Sequence, residues 1–110
     1  MIKTGTIQLP ASDPMTGTGG TWTLNAGTAG GTYLSPDLPF SPPWGGAPQP
    51  FSSPPTVVVS LAGIAVAGGP PRFRVSVENV QAEEFNIRVT TEPGTTLDNV
   101  SVTWLADDGA

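Results

Sequence analysis

The sequence predicts an all-β fold of antiparallel strands, and three short stretches near its C-terminus are the strongest evidence. Apolar and polar residues alternate at positions 73–78, 85–90 and 100–104. A period of two with β-branched and aromatic residues is typical of strands that bury one face. Short loops at 81–84 and 92–96 separate the stretches, so we predict that they form an antiparallel meander.

The composition supports this fold class and limits the kinds of partner the protein can bind. The chain has 110 residues, 14 of them glycine and 13 proline, so we expect one small domain without long helices. Its net charge is −5 with only four basic residues, which excludes a strongly basic surface for nucleic acid. No apolar run has transmembrane length, so we expect no membrane insertion.

The N-terminus and the absence of cysteine indicate how the chain is made. The first ten residues contain one lysine and no long apolar stretch, so they do not resemble a secretory signal. Without cysteine there is no disulfide framework. We expect a protein assembled inside a cell or processed from a longer one, and the initial methionine favours a complete small protein.

The first third of the chain offers weaker strand signals. Residues 5–9 predict a short strand, and the alternation at 21–24 predicts another. Small and turn-forming residues at 10–20 and 25–31 predict loops. Residues 32–34 are too few to assign.

Residues 36–55 contain eight of the 13 prolines, with Phe40, Trp44 and Phe51 between them. Proline lacks a backbone donor, so this segment is not a central strand. Composition alone is typical of a linker or a polyproline ligand. Aromatic residues favour an ordered extended arm, packed on its own domain or on a neighbour, and an ordinary long loop is the alternative.

The strongest buried strand is predicted at residues 56–62, TVVVSLA. It is apolar on both faces over three residues, so we predict a central position in a sheet. Residues 63–71 predict the loop that leads into the meander.

The alternation also fixes faces and register. Inward residues must oppose inward residues, so Val77 lies opposite Ile87 or Val89, and Glu78 lies near Arg88 on the outer face. One interpretation is a solvated ion pair that contributes about 0–1 kcal/mol. The other is that this face, with Arg74, Glu78 and Arg88, is an oligomer interface.

The residues exclude most catalytic chemistry. There is no histidine and no cysteine, which removes the common nucleophilic triads and histidine-ligated zinc sites. The adjacent carboxylates at 83–84 and 107–108 cannot converge on a bond from two sides. We therefore expect no enzyme, no metal and no cofactor.

The C-terminal half of the sequence, from Phe51 to Ala106, resembles the H-type lectin domain. The resemblance consists of an aromatic residue, two prolines and a valine-rich strand, then an arginine-led strand that ends in Asn79-Val80, a phenylalanine-led strand, and a final V-x-V-x-W-L-A strand at 100–106. It implies a six-stranded antiparallel β-sandwich that assembles as a homotrimer and binds N-acetylgalactosamine-like sugars near subunit interfaces.

The resemblance implies a carbohydrate site that is largely replaced here. Arg72 matches the family's sugar-contacting arginine, and Arg74 is the other candidate. Glu92 and Pro93 stand where the family has a Trp-His pair, and Gly63 begins the stretch where an aspartate is expected. The predicted site is therefore Arg72, Arg74 and Glu92. A stacking surface for a sugar ring would have to come from other aromatic residues: Trp22, Tyr33 or Trp44.

The small size of the predicted domain favours oligomerisation. The well-patterned residues 51–106 form a unit that is marginal alone, because a domain of about 60 residues buries only about 60% of its unfolded surface. Oligomerisation is the common remedy without disulfides or metals. We predict a sandwich at 51–110 and, at 1–50, strands and an arm packed on the same domain or on neighbours.

Two function classes follow. In the first, the protein is a non-enzymatic trimeric subunit of a phage virion, such as a capsid decoration, head spike or tail attachment component, with other virion proteins as partners. In the second, it is a soluble lectin or adhesin, extracellular or cytoplasmic. Cell-surface glycans are partners in the second class and are compatible with the first. The replaced sugar site and the missing signal favour the first.

Overall fold

The computed structural model describes residues 1–11, 21–26, 29–40 and 51–109, and all regular elements in these ranges are strands. There are seven: β1 (Ile2–Leu9), β2 (Gly31–Leu34), β3 (Leu38–Pro39), β4 (Thr56–Gly68), β5 (Phe73–Glu78), β6 (Glu84–Thr91) and β7 (Thr96–Asp107). They confirm the all-β fold class.

The strands form two antiparallel sheets that pack face to face. One sheet has the order β1-β7-β4. In the other, β6 is central, with β5 on one side and with β2 and β3 at different heights on the other side. The result is a β-sandwich whose inner faces share one hydrophobic core.

The predicted meander is wrong at its second step. β5 and β6 form the expected hairpin, with Val77 opposite Ile87. β7 does not pair with β6; it lies between β1 and β4 in the opposite sheet. The loop after β6 carries the chain across the sandwich, and alternation cannot show this because β7 buries one face in either sheet.

Three other predictions about elements are corrected. Residues 56–62 do not form a central strand, because among the described strands β4 pairs with β7 alone and is an edge. β4 continues to Gly68 through residues predicted as loop, with register shifts that bend it around the sandwich. Residues 21–24 form no strand; Leu24 lies in a turn and its carbonyl accepts a hydrogen bond from the Leu97 amide.

Strands from residues 1–50 and from residues 51–110 share both sheets. β1 pairs with β7 along its whole length, from Ile2 opposite Asp107 to Leu9 opposite Val100. After β1, the backbone amide of Ala11 donates to the Tyr33 hydroxyl at 2.9 Å. The N-terminal strands are therefore part of the sandwich core.

An aromatic cluster closes one end of the core. The ring of Phe40 stacks on Phe85 and meets Phe51 and Trp104 edge to face, with centroids 5.1–5.6 Å apart. Phe40 and Phe51 flank residues 41–50, so the described parts of the proline-rich segment are packed on this domain on both sides of these residues. Trp44 lies outside the described residues.

Candidate functional site

The start of β5 places Arg72 beside Glu92. The Glu92 amide donates to the Arg72 carbonyl at 2.9 Å, which extends the β5–β6 ladder by one step beyond Phe73 and Thr91. The Arg72 amide donates to Thr95 Oγ1 at 3.0 Å. Because these contacts use the backbone, both side chains remain exposed.

Two glycines allow this close approach of the loops before β5 and after β6. Gly69 has a φ of 78° and packs directly on the backbone of Gly94, which has a φ of 93°. A side chain on Gly69 would overlap the Gly94 carbonyl. The Thr95 hydroxyl also donates to the Pro70 carbonyl at 2.6 Å, which fixes the two loops together.

The structure brings the predicted carbohydrate residues onto one face. Arg74 lies two residues after Arg72 in β5 and opposite Thr90. In a strand, residues two apart point to the same face, so Arg72 and Arg74 share the outer face of the four-stranded sheet with Glu92. This surface can offer guanidinium donors and one carboxylate acceptor to a ligand.

The predicted contact between Glu78 and Arg88 is confirmed. Arg88 Nε donates to one Glu78 carboxylate oxygen at 2.7 Å and Nη2 donates to the other at 2.9 Å. Ser76 lies opposite Arg88, so the pair is diagonal. The hydrogen bonds from Arg88 lower the pKa of Glu78, and those to Glu78 raise the pKa of Arg88.

The aromatic residues proposed for sugar stacking lie elsewhere. Tyr33 is 1% exposed and belongs to the core. Trp22 packs edge to face on Tyr33 with centroids 4.9 Å apart, and its indole N–H donates to the Leu97 carbonyl. Neither ring presents a free face beside Arg72.

The structure shows an exposed apolar surface that the sequence analysis missed. Leu61, Ile64 and Val66 in β4 are 51%, 37% and 41% exposed. Their side chains point to the inner face of their sheet, because each is paired with a fully buried residue of β7. We call this surface, with the half-buried Val75 and Val77 of β5, the open side of the sandwich.

The open side exists because two edge strands meet there. β4 is the edge of one sheet and β5 is the edge of the other, and the short connection 69–72 joins them. No described residue covers the gap between these edges. The apolar run of β4 is the sequence signal for this surface, although the same run also fits a strand buried at the centre of a sheet.

A surface hollow of about 380 Å³ lies on the outer face of the three-stranded sheet, between Val58, Leu105 and Asp107. It is on the opposite sheet from Arg72. Within the described ranges, acidic side chains form no group of three that could hold a metal ion. The same residues include no helix of membrane-spanning length and hydropathy.

The fold is an antiparallel β-sandwich with an exposed polar face on its four-stranded sheet. The model of the H-type lectin domain matches residues 48–106, slightly more than half of the chain, and the chain belongs to this family. The expected resemblance is therefore confirmed.

Solved structures show the same fold. Recombinant discoidin II of Dictyostelium discoideum superposes with a TM-score of 0.73 at 17% identity, over 98% of this chain and 36% of that one. The wild-type discoidin II structure gives 0.71 at 18% identity, over 96% and 35%. This chain thus spans about a third of discoidin II. No curated protein matches it.

Proposed function

We propose that the protein is a non-enzymatic glycan-binding module that works as a homotrimer. The observation that carries the proposal is the membership of residues 48–106 in the H-type lectin family. The resemblance aligns Arg72, which is exposed, with the family's sugar-contacting arginine. Carbohydrate recognition needs few well-placed polar groups on a rigid scaffold, and the ends of β5 and β6 supply them.

The glycan site is centred on Arg72, Arg74 and Glu92. The paired glycines and Thr95 fix the backbone of Arg72, so its guanidinium projects from a rigid base. Guanidinium N–H groups donate to sugar oxygens, and the Glu92 carboxylate accepts from hydroxyl groups. Glu92 replaces an aromatic residue, which removes a stacking surface and increases the polar share of the site.

The open side supports trimer formation. Exposed aliphatic side chains that continue a buried core gain free energy when another chain covers them, at about 25 cal/mol per Å². β5 borders the open side and begins next to Arg72. A neighbour that covers Leu61 and Val66 therefore comes close to the glycan site, which gives the assembled form a more complete pocket than one chain offers.

The outer face of Arg74, Glu78 and Arg88 is the weaker candidate for the interface. Its charges are solvated and one pair is already satisfied, whereas the open side is apolar. A role in a phage virion, with virion proteins as partners, stays a prediction, and so does the location of the protein.

A glycan-array screen tests the proposal, with the mass in solution measured on the same sample. Binding of an amino sugar by a trimer, lost in Arg72→Ala, is the expected result. A trimer that binds no glycan would contradict the lectin function and favour the structural role in a particle. A monomer that binds glycan would contradict the assembly only.

A further inference from the structure

All three arginines of the chain lie on one face of the four-stranded sheet. Arg72 and Arg74 belong to the β5 edge, and Arg88 lies on the same face of β6. Lys3, the remaining basic residue, is in β1 of the other sheet, with Nζ 5.2 Å from the centroid of the Phe51 ring. In a chain of net charge −5, this face gathers most of the positive charge.

Arg74 is at the centre of this arginine face. Arg72 is two residues away on the same strand, which corresponds to about 7 Å. Arg88 is diagonal to Arg74 across the β5–β6 pair, where Cβ atoms are about 7–8 Å apart. The residue opposite Arg74 is the neutral Thr90.

None of the described carboxylates forms an ion pair with Arg74. Glu78 is engaged by Arg88 through both of its oxygens. Glu92 lies opposite Arg72 and diagonal to Arg74. Neither Arg72 nor Arg74 forms an ion pair with any residue that the structure describes. The Arg74 guanidinium is therefore available to a ligand.

Hydroxyl groups border the arginines. Thr32 and Thr90 lie opposite each other with their Oγ1 atoms 3.5 Å apart, and Ser76 follows Arg74 on the same face. These groups both donate and accept, as sugar hydroxyls require. No aromatic ring of the described residues lies on this face, so these residues offer a neutral sugar no stacking surface here.

We infer that the glycan recognised by this protein is acidic, and that Arg74 with Arg72 binds a sulfate or carboxylate group on the sugar. This inference rests on the proposed lectin function and names its substrate class. Planar guanidinium groups match the geometry of such anions and form charge-assisted hydrogen bonds. Those bonds compensate for the loss of sugar stacking that follows from having Glu92 and Pro93 in place of the family's Trp-His pair.

Titration calorimetry with two matched sugars tests the inference: N-acetylgalactosamine and its 6-sulfated form. We expect the sulfated sugar to bind about tenfold tighter or more, since hydrogen bonds to a charged group are stronger than those between neutral groups. The preference should disappear when salt is raised from about 0.1 M to 1 M, where the Debye length falls from about 10 Å to 3 Å.

Two variants locate the effect. Arg74→Gln should abolish the preference for the sulfated sugar, and Lys3→Gln, which removes the same charge from the other sheet, should keep it. Thermal unfolding of both variants checks that they are folded. Equal losses in the two variants would overturn the assignment to Arg74.

The remaining outcomes separate the inference from the proposed function. Equal binding of both sugars would overturn the acidic class and leave the lectin function standing. Binding of neither sugar would overturn the lectin function and the inference with it. Inorganic sulfate that competes as well as the sulfated sugar would show that the sugar ring adds nothing, which contradicts a glycan site.

Discussion

Gly5 lies directly opposite Trp104 where β1 pairs with β7, and the indole of Trp104 covers the space that a side chain on Gly5 would need. A Cβ at position 5 would lie 2.7 Å from three atoms of that ring. On its core side Trp104 meets Phe40 and Phe85 edge to face. The glycine on edge strand β1 thus leaves room for the largest core side chain, which belongs to the central strand β7.

Replacing Gly5 by alanine should destabilise the fold. The added methyl must displace a ring held by two other aromatic residues, and overpacking of this kind costs about 1–3 kcal/mol. Chemical denaturation measures the loss. Gly63→Ala is the control, because its nearest contact would be Ser101 Cβ at 3.9 Å. It should be neutral or stabilising by about 0.5–1 kcal/mol. Equal stabilities of the two variants would contradict the packing role of Gly5.

Local patterns in the sequence were sufficient to predict strands but not their sheet. The alternation identified β5, β6 and β7, and the register that places Val77 opposite Ile87 followed from matching inward faces. Whether β7 pairs with β6 depends on the path of residues 92–95, which no periodicity encodes. Likewise, the apolar run of β4 has the same sequence pattern whether it is buried at the centre of a sheet or exposed as a surface for another subunit.

The candidate site was predictable to the same limited extent. Arg72, Arg74 and Glu92 came from a family pattern, and the structure adds that the first and last are neighbours across the hairpin. To predict that the three arginines lie on one face, both the register between β5 and β6 and the facing of each strand have to be known. The open side could not be predicted, because it depends on which two edges lie next to each other.

Acidification should weaken the fold through Glu78. Its pKa is lowered from the ordinary 4.5 by the hydrogen bonds from Arg88. A carboxylate with a lowered folded-state pKa contributes stability that is complete above its unfolded-state pKa and is lost as the pH falls through the folded-state value. Melting temperatures of Glu78→Gln should therefore fall less between neutral and acidic pH than those of the native protein.

The control for this pH effect is Glu83→Gln, which removes the same charge from an exposed residue between β5 and β6. Its melting temperature should follow the native curve in shape. A Glu78→Gln curve as steep as the native one would show that the pair with Arg88 contributes nothing to the acid sensitivity.

Asn86 should be required for stability because it connects three segments. Its amide nitrogen donates to the Ser35 carbonyl and to an Asp37 carboxylate oxygen, and its amide oxygen accepts from Asn79, all at 3.1 Å. Asn86→Ala leaves these groups without their partner in a site that is 7% exposed. We expect a loss of about 1–3 kcal/mol in the free energy of unfolding, measured by urea denaturation.

Thr90→Ala is the matched change for Asn86, on the same face of β6 but less buried. A surface substitution of this kind should stay within about 0.5 kcal/mol of the native stability. If Asn86→Ala is equally mild, then water replaces the lost hydrogen bonds and the network does not hold the segment before β3 to the sheet.

Leu61→Lys should dissociate the proposed trimer without unfolding the chain. Leu61 is half exposed in the single chain, so a lysine there is tolerated, but in an assembly that covers the open side it places an unpaired charge at each interface. Such a charge costs about 3–5 kcal/mol, which lowers the association constant by roughly two to four orders of magnitude. Sedimentation measures the mass. Val58→Lys makes the same change on the opposite face of β4, at 56% exposure, and should leave the trimer intact. A trimer that survives Leu61→Lys would show that its subunits meet elsewhere.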